Sequence, residues 1–320
     1  MIPMNKLADF IRSHDDFIVI GHTNPDGDAH GSVIGLTLAL QKMGKRAFAY
    51  LPGGFNQLYG DFTCPIDIAR DDILPFEPKT AFSVDVSEAF RLGSAKEIFD
   101  RCESKCLLDH HESNSGFASV NWIDSSAAAS GEMAVELIEE LGVQIDSEMA
   151  KWLYIAIVTD CGRFGFSCTR SKTMIAAAKL LEAGIDVDDI TRKLYSTRTE
   201  GRTRLMARVI SDMRFDCEKQ VCYALLTEKM YTECGAAPGD NDGIVNYLLE
   251  IRGVKIAFIV EEKGANAKVS LRSKPPMDVC TKVAKPLGGG GHACACGISM
   301  NDVSIESACE KVLEYARQAL

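Results

Sequence analysis

The residues best suited to chemistry in this sequence are histidines and aspartates that cluster in short segments. Residues 21–32 contain the spacing His-x3-Asp-x-Asp, formed by His22, Asp26 and Asp28. One imidazole and two carboxylates suit a divalent metal ion such as Mn²⁺, which prefers oxygen and imidazole ligands to thiolates. The alternative is that Asp26 and Asp28 only cap a following helix, where carboxylates are also favourable.

Three further segments carry such residues at or near the end of an apolar run. Asp85 closes AFSVD, Asp109 begins the triplet Asp-His-His that follows KCLL, and Asp160 ends an apolar helical pattern. Adjacent side chains at a strand end point in different directions, so His110 can bind a metal while His111 faces a substrate. Asp109 can orient a neighbouring imidazole. Taken singly, each segment is also compatible with an ordinary turn or surface loop.

A glycine-rich segment and a basic region lie far downstream. Four glycines at 288–291 precede His292, and glycine allows backbone N–H groups to approach an anion closely. A flexible loop is the alternative. Residues 245–292 hold eight Lys and Arg against four acids, in a chain of net charge −10. A solvated basic face would explain this surplus, but Arg272 in VSLRSK is a sharper candidate, because a guanidinium binds phosphate through paired donors.

The candidate histidines and aspartates between residues 22 and 160 lie in a region where predicted strands and helices alternate. The predicted elements are listed in chain order: a strand at 17–20, a helix at 29–43, strands at 46–51, 81–85 and 105–109, and helices at 127–141 and 147–158. This alternation predicts an α/β domain with a parallel sheet flanked by helices. Ligands bind beyond the carboxyl ends of such strands, so His22, Asp85 and residues 109–111 should converge.

The sequence predicts two domains. Residues 1–186 form the metal-binding catalytic domain, 187–208 a polar helical linker and 209–320 a smaller α+β domain. The α+β assignment depends on predicted strands at 212–217, 220–226, 254–261 and 267–272, and helices at 240–250, 277–285 and 303–319. We expect the active site in the cleft between the two domains.

Composition limits the class of protein and its partners. The 320 residues are 46% hydrophobic and 25% charged, typical of a globular chain. The acidic balance argues against clamping long duplex nucleic acid. A secretory signal and a membrane-length apolar run are both missing, so a cytoplasmic protein without membrane contact is expected. The 12 cysteines then predict reduced, mostly buried thiols, with structural zinc near Cys161 and Cys168 or Cys294 and Cys296 as the alternative.

The five motifs in this order resemble the DHH phosphoesterase superfamily with its DHH-associated C-terminal domain. They are H-x3-D-x-D, a strand-end Asp, DHH, T-D-x-G-x-F and GGGGH, and the resemblance spans about residues 16–300. The segments DHHESNSGF, TDCGRFGFSCT and VSLRSK are similar to stand-alone members that act both as oligoribonucleases and as 3′-phosphoadenosine 5′-phosphate phosphatases. Such an enzyme would be a hydrolase of phosphate esters that uses two divalent metal ions, with Mn²⁺ expected because the ligands are histidines and carboxylates.

The resemblance implies a role for each candidate residue. His22, Asp26 and Asp85 would hold one metal, and Asp85 would bridge to a second held by three more ligands, Asp28, His110 and Asp160. The catalytic residues would be His111, at the scissile phosphate, and Asp109, supporting a neighbouring ligand. The substrate's phosphates would be bound by Asn114, Ser270, Arg272, Gly289, Gly290, Gly291 and His292. Short single-stranded RNA or small nucleotides are the expected substrates, and a homodimer is compatible with the sequence.

Departures from the family pattern leave substrate preference open. His30, Cys161 and Cys296 stand where an aliphatic residue, Thr and Ala are expected. A cyclic di-AMP or pApA phosphodiesterase would use the same catalytic residues. An inorganic pyrophosphatase or polyphosphatase shares the first four motifs but is disfavoured by GGGGH and SLRS. A nucleotide-binding regulator that has lost catalysis is disfavoured because every proposed ligand is present.

Overall fold

The structure is a computed structural model that describes residues 3–55, 59–69 and 73–320. The chain forms two compact units that divide between Thr197 and Arg198. The division falls within 187–208, the stretch predicted as a linker. Helix α7 (Val187–Thr191) and a π-helical turn (Arg192–Ser196) belong to the first unit, and helix α8 (Glu200–Ser211) to the second.

The first unit is built on a six-stranded parallel sheet within the described residues. Its strands in chain order are β1 (Phe17–Ile20), β2 (Ala47–Tyr50), β3 (Ile68–Ala69), β4 (Thr80–Val84), β5 (Ser104–Asp109) and β6 (Val120–Ile123). The strand order is β3-β2-β1-β4-β5-β6. Strand order therefore reverses between β1 and β4, and such a reversal opens a crevice beyond the carboxyl ends of the two strands.

Both faces of this sheet are covered, which explains why its strands are continuous apolar runs. Phe17 and Val19 pack into the larger core cluster, together with residues of most of the helices. Ile18 and Ile20 point to the opposite face, against Phe99 and other residues of the 89–102 segment. The helices are α1 (Met4–Ser13), α2 (Gly27–Lys42), α3 (Lys96–Arg101), α4 (Ser130–Glu140), α5 (Ser147–Asp160) and α6 (Ser171–Glu182), with a 3-10 segment at Ala89–Ala95.

Helices α2 and α5 approach each other closely because α2 carries glycine at every fourth position. Gly27, Gly31 and Gly35 face α5, where a Cβ on Gly31 would overlap the carbonyl oxygen of Trp152. A Cβ on Gly27 would overlap the side chain of Thr159. Residues four apart lie on one helix face, so the three glycines form a continuous surface without side chains, against which α5 packs. This contact sets the spacing between the start of α2 and the end of α5, where candidate ligands lie.

The second unit contains a mixed six-stranded sheet of order β11-β12-β10-β9-β8-β7. The strands are β7 (Arg214–Asp216), β8 (Val221–Leu226), β9 (Ile256–Lys263), β10 (Asn266–Ser273), β11 (Gly290–His292) and β12 (Ala295–Met300). Only the β8 and β9 pair is parallel among these described strands. The remaining helices are α9 (Glu228–Cys234), α10 (Ile244–Glu250) and α11 (Ile305–Ala319), with π and 3-10 turns at Cys280–Ala284 and Lys285–Leu287.

The predicted fold class is confirmed: a parallel α/β domain is followed by a smaller α+β domain. Helix α4 begins at Ser130, three residues later than expected, because residue 129 is extended with φ −161°. The expected helix at 277–285 is a π turn followed by a 3-10 turn. None of the described helices has the length and apolar character needed to cross a membrane.

Candidate metal centre

The end of β1 leads directly into the first cluster. Asp26 is the N-cap of α2, and its Oδ1 accepts hydrogen bonds from the backbone N–H groups of Asp28 and Ala29, both 3.1 Å long. The same Oδ1 lies 3.7 Å from Nε2 of His22. Capping and cluster membership are therefore both properties of Asp26. His30, one turn into the helix, is buried and fastens the turn through a 2.6 Å contact from Nδ1 to the Asp26 carbonyl.

The tautomer of His22 is set by its own backbone. Nδ1 of His22 lies 2.8 Å from the carbonyl oxygen of Thr23, which can only accept a hydrogen bond. The proton therefore sits on Nδ1, and Nε2 presents its lone pair toward Asp26 and Asp85. Nε2 is 3.6 Å from Oδ2 of Asp85. His22, Asp26 and Asp85 form one group of ligand atoms able to hold a metal ion.

A second group consists of Asp28, His110 and Asp160. Nε2 of His110 lies 3.7 Å from Oδ2 of Asp28 and 3.4 Å from Oδ2 of Asp160. It is also 3.7 Å from Oδ1 of Asp85. Asp85 thus turns one oxygen toward each group. Its backbone is left-handed, with φ 60°, immediately after the last residue of β4. All six predicted metal ligands are brought together.

The start of α4 holds two of these carboxylates, and sequence reasoning missed this role. The backbone N–H groups of Ser130 and Gly131 donate to Oδ2 and Oδ1 of Asp28, at 2.6 and 2.9 Å. The Ser130 hydroxyl donates to Oδ1 of Asp85 at 3.0 Å. A helix N-terminus favours bound anions, so α4 stabilises buried negative charge at the centre. Buried Glu132 accepts from the backbone of Ala128 and steadies this turn.

The electrostatics of the cluster fit a cationic occupant. Burial, followed by repulsion from Asp28 and Asp26, raises the pKa of Asp85 well above its usual range. Burial and the charge of Asp28 raise the pKa of Asp160 to about 7. Burial opposes the charged form of His110, but Asp28 and Asp160 outweigh it and raise its pKa. Carboxylates gathered in this way repel one another unless positive charge is supplied, and oxygen and imidazole donors suit a hard divalent ion.

The two remaining residues of the Asp-His-His triplet form a separate hydrogen-bonded arrangement. Nδ1 of His111 lies 2.7 Å from Oδ1 of Asp109, which is fully buried. Oδ2 of Asp109 accepts from Nδ2 of Asn114 at 2.6 Å. This Asp109 contact fixes the His111 ring through Nδ1. Ligand atoms of Asp85, His110 and His111 also lie close enough to form a third group able to hold a metal.

Asn114, an expected contact of a substrate phosphate, makes hydrogen bonds within the first unit. Its Nδ2 donates to Asp109 and, at 2.9 Å, to the carbonyl of Val86, and its Oδ1 accepts from the Gly116 N–H. Both amide protons therefore have partners within the protein, one of them the buried carboxylate of Asp109. A phosphate contact by Asn114 stays a prediction.

In the second unit, pairing across three strands gathers most of the predicted phosphate-binding residues. Arg272 on β10 pairs with Ala295 on β12, which pairs in turn with His292 on β11. Ser270 aligns in the same way with Gly297 and Gly290. Each row spans about 10 Å, the width of two strand spacings. Burial lowers the pKa of Arg272. The β12 residues in the two rows, Ala295 and Gly297, are both small.

Gly289, just before β11, and Gly291, within it, are required by close backbone approaches. A Cβ on Gly289 would overlap the carbonyl oxygen of Gly297, and one on Gly291 would lie 2.6 Å from the carbonyl oxygen of Ala295. Gly291 also has φ 139°. The 12 cysteines are all free thiols, seven buried and five partly buried, and the metal-binding groups found among the described residues contain none of them.

Residues 16–157 match the family model described as DHH family, N-terminal domain, and residues 218–320 match the DHHA1 domain. The chain therefore belongs to the DHH family. It is similar to the bifunctional oligoribonuclease and PAP phosphatase NrnA of Thermus thermophilus, with 30% identity covering 99% of this chain and 94% of that one. The Bacillus subtilis protein of the same name is 25% identical, covering 92% of each.

A crystal structure of an exopolyphosphatase-related protein from Bacteroides fragilis matches this fold with a TM-score of 0.91. Its sequence is 26% identical, and the match covers 99% of this chain and 97% of that one. The resemblance drawn from the five motifs is thus confirmed. The predicted enzyme class, a hydrolase of the phosphodiesterase and phosphatase kind, is confirmed as well.

Proposed function

We propose that this protein hydrolyses short single-stranded oligoribonucleotides and removes the 3′-phosphate of 3′-phosphoadenosine 5′-phosphate. The observation that carries the proposal is a pair of ligand groups with Asp85 between them, one of its oxygens facing His22 of the first group and the other facing His110 of the second. Two metal ions bound so close together suit the displacement of a phosphate ester. The proposed substrates are those for which relatives that match nearly the whole chain are named.

The proposed occupants are two divalent ions, with Mn²⁺ preferred because the ligand set mixes imidazole and carboxylate. His22, Asp26 and Asp85 would hold one ion, and Asp28, Asp85, His110 and Asp160 the other. Two such ions supply positive charge that polarises the phosphate and lowers the pKa of an attacking water. Ser130 and Gly131 would keep Asp28 oriented as a ligand through their N–H groups.

The protein's own acid at this centre is proposed to be His111. Hydrolysis forms a bond from a water oxygen to phosphorus, breaks the bond from phosphorus to the ester oxygen, and leaves that oxygen in need of a proton. Asp109 holds Nδ1 of His111, so Nε2 is the nitrogen that would reach the phosphate or the leaving oxygen. Asp109 would also stabilise the charged imidazolium between proton transfers.

The second unit is proposed to bind the substrate's phosphates away from the bond that is cleaved. Arg272 would act as the main cationic contact, with Ser270 and His292 as hydrogen-bonding partners in the same rows of the sheet. The N–H groups of Gly289, Gly290 and Gly291 would add backbone donors. An anchor of this kind favours a substrate with a terminal phosphate over an internal stretch of a long polymer.

A substrate panel tests the proposal directly. The wild-type protein is assayed with Mn²⁺ on pApA, longer RNA, 3′-phosphoadenosine 5′-phosphate, cyclic di-AMP and inorganic pyrophosphate. We expect the first and third to be hydrolysed best. Preference for cyclic di-AMP would identify a cyclic dinucleotide phosphodiesterase, and preference for pyrophosphate would overturn the nucleotide assignment.

A second measurement addresses substrate length. Rates on RNA from two to about twenty-five nucleotides should fall steeply with length, because an acidic chain gains little from general attraction to a long polyanion. An Arg272→Ala variant should lose affinity for nucleotides while retaining its metals. The exposed, remote substitution Glu182→Ala serves as the control. A flat or rising length profile would contradict the terminal anchor.

A further inference from the structure

A cationic side chain lies against the metal centre on a segment that no motif identified. Arg91 belongs to the 3-10 segment Ala89–Ala95, and its carbonyl oxygen accepts the backbone N–H of Thr23 at 2.8 Å. Gly93, with φ 52°, brings the segment so near that a Cβ there would overlap Cγ2 of Thr23. These contacts fasten the segment to the turn that carries His22.

The Arg91 guanidinium lies within hydrogen-bonding distance of His22, but the ring can accept from it only through an unprotonated Nδ1. Nη2 of Arg91 is 3.0 Å from Nδ1 of His22. Because Nδ1 donates its proton to the Thr23 carbonyl, it has no lone pair to accept a second proton from Arg91. The alternative tautomer would place a proton on Nε2 and remove His22 from the metal-binding group. The guanidinium therefore needs an acceptor that the His22 ring does not provide.

The part of the chain that the structure describes supplies no carboxylate for this cation. Within the described residues, no Asp or Glu oxygen lies within 4.0 Å of the Arg91 guanidinium, whereas Arg46 pairs with Asp16 and Arg101 with Glu77. Arg91 is nevertheless only partly exposed. A half-buried guanidinium beside a metal centre, without an acidic partner, is typical of a residue whose counter-ion is an incoming anion.

The excess negative charge of the candidate centre favours a cationic side chain nearby. The carboxylates of Asp26, Asp28, Asp85, Asp109 and Asp160 carry one more negative charge than two divalent ions balance, and a substrate phosphate adds further negative charge. Among the described residues, no Lys or Arg nitrogen lies within 4.0 Å of these five carboxylates. The cation nearest to His22 is thus the one placed to offset the added charge of a bound phosphate.

We propose that Arg91 is a substrate-binding residue that donates to a non-bridging oxygen of the phosphate held at the metal centre. This inference rests on the proposed function, since it assumes that a phosphate ester binds there. It adds a phosphate contact from the first unit to those proposed for the second. The competing role is a purely positioning one, in which Arg91 only supports the His22 ring.

The test compares Arg91→Ala and Arg91→Lys with the matched control Arg101→Ala, an exposed arginine of the same unit. Metal content is measured by elemental analysis, binding of inorganic phosphate to the Mn²⁺-loaded protein by calorimetry, and kcat/KM on pApA. Arg91→Ala should keep its full metal content and weaken phosphate binding about 10- to 100-fold, the effect of losing one charged hydrogen bond. Its kcat/KM should fall at least as far.

The Lys variant should recover part of the phosphate affinity, because it restores the charge without the paired donors. Unchanged phosphate affinity in Arg91→Ala would overturn the proposal. Loss of metal in proportion to loss of activity would also overturn it, because that result would show that Arg91 only supports the His22 ring. The phosphate measurement does not require pApA to be a substrate. Failure of wild-type protein to hydrolyse pApA would therefore count against the proposed function without deciding the role of Arg91.

Discussion

At the scale of single residues, Asp85 is the point on which the centre depends. Its Oδ2 faces His22 and its Oδ1 faces His110, and the Ser130 hydroxyl orients the second oxygen. Asp109 lies beside this arrangement and contacts it only through His111. The two aspartates are equally buried but differ in what their oxygens touch. Substitution should therefore affect them differently.

We predict that Asp85→Asn removes metal as well as activity, whereas Asp109→Asn reduces activity and keeps the metal. An amide cannot serve two cations as a carboxylate does, so Asp85→Asn should cost more than 100-fold in kcat/KM. Loss of a residue that supports another group typically costs about 10- to 100-fold. Elemental analysis and steady-state kinetics check both variants. Equal losses in two well-folded proteins with equal metal content would contradict the role given to Asp85.

His111 gives a second prediction at this scale. His111→Ala should purify with the same metal content as the wild type while kcat falls about 10²- to 10⁴-fold, the usual contribution of an acid or base at the reacting phosphate. His14→Ala, at the end of α1, provides a histidine control outside the centre. If the His111→Ala variant retains one ion fewer per chain, His111 is a metal ligand, as its closeness to Asp85 and His110 also permits.

The grouping of the candidate ligands could be predicted from sequence because the segments that carry them follow recognisable apolar runs. The carboxyl ends of parallel strands lie at the same edge of a sheet. The proximity of His22, Asp85 and His110 could therefore be predicted from the strand pattern, without side-chain geometry. Ser130 and Gly131 were missed because they act through backbone N–H groups, which every residue has. Arg91 was missed because its position depends on the irregular 89–95 segment. The contact between Asn114 and Asp109 was not predicted because the sequence around Asn114 does not indicate which carboxylate its side chain approaches.

At the scale of elements, the contact between α2 and α5 holds the two ends of the centre at a fixed distance. Asp28 lies in the first turn of α2 and Asp160 is the last residue of α5. The surface without side chains at Gly27, Gly31 and Gly35 permits the two helices to approach closely. A wider separation would move Asp28 and Asp160 apart together with the helices that carry them.

We therefore predict that Gly31→Ala lowers both stability and metal affinity. The added methyl would meet the Trp152 carbonyl, which belongs to helix backbone and cannot rotate away. Overpacking of this kind typically costs about 1–3 kcal/mol, measured as the free energy of unfolding in urea. Glu182→Ala, on an exposed helix position, should leave the midpoint unchanged. A Gly31→Ala protein of wild-type stability and metal affinity would show that the helices can separate at no cost.

Helices and strands could be predicted where their burial is reflected in a regular pattern of apolar residues in the sequence. The central strands β1, β4 and β5 are apolar runs and were predicted within one residue of their bounds. β6 was missed because Asn121 interrupts a four-residue strand at the sheet edge. β12 was missed because Gly297 and the small residues Ala295 and Cys296 give it little strand character, although it pairs along its whole length with β10.

At the scale of the whole molecule, the two units differ in what they contribute. All six proposed metal ligands lie between residues 22 and 160, in the first unit, and the basic surplus of residues 245–292 lies in the second. Each unit has hydrophobic clusters of its own, with no residue of one unit appearing in a cluster of the other among the described positions. Metal binding and phosphate anchoring can therefore be perturbed separately.

The last prediction follows from this separation. A ligand that binds only the folded state stabilises it by about 2.7 kcal/mol at 100 times its dissociation constant. Because every proposed ligand belongs to the first unit, added Mn²⁺ should slow amide hydrogen exchange in β1, β4 and β5 and leave β8, β9 and β10 nearly unchanged. Chelation should reverse the effect, and Asp85→Asn should abolish it. Protection that rises equally in both sheets would contradict the separation of metal binding from the second unit.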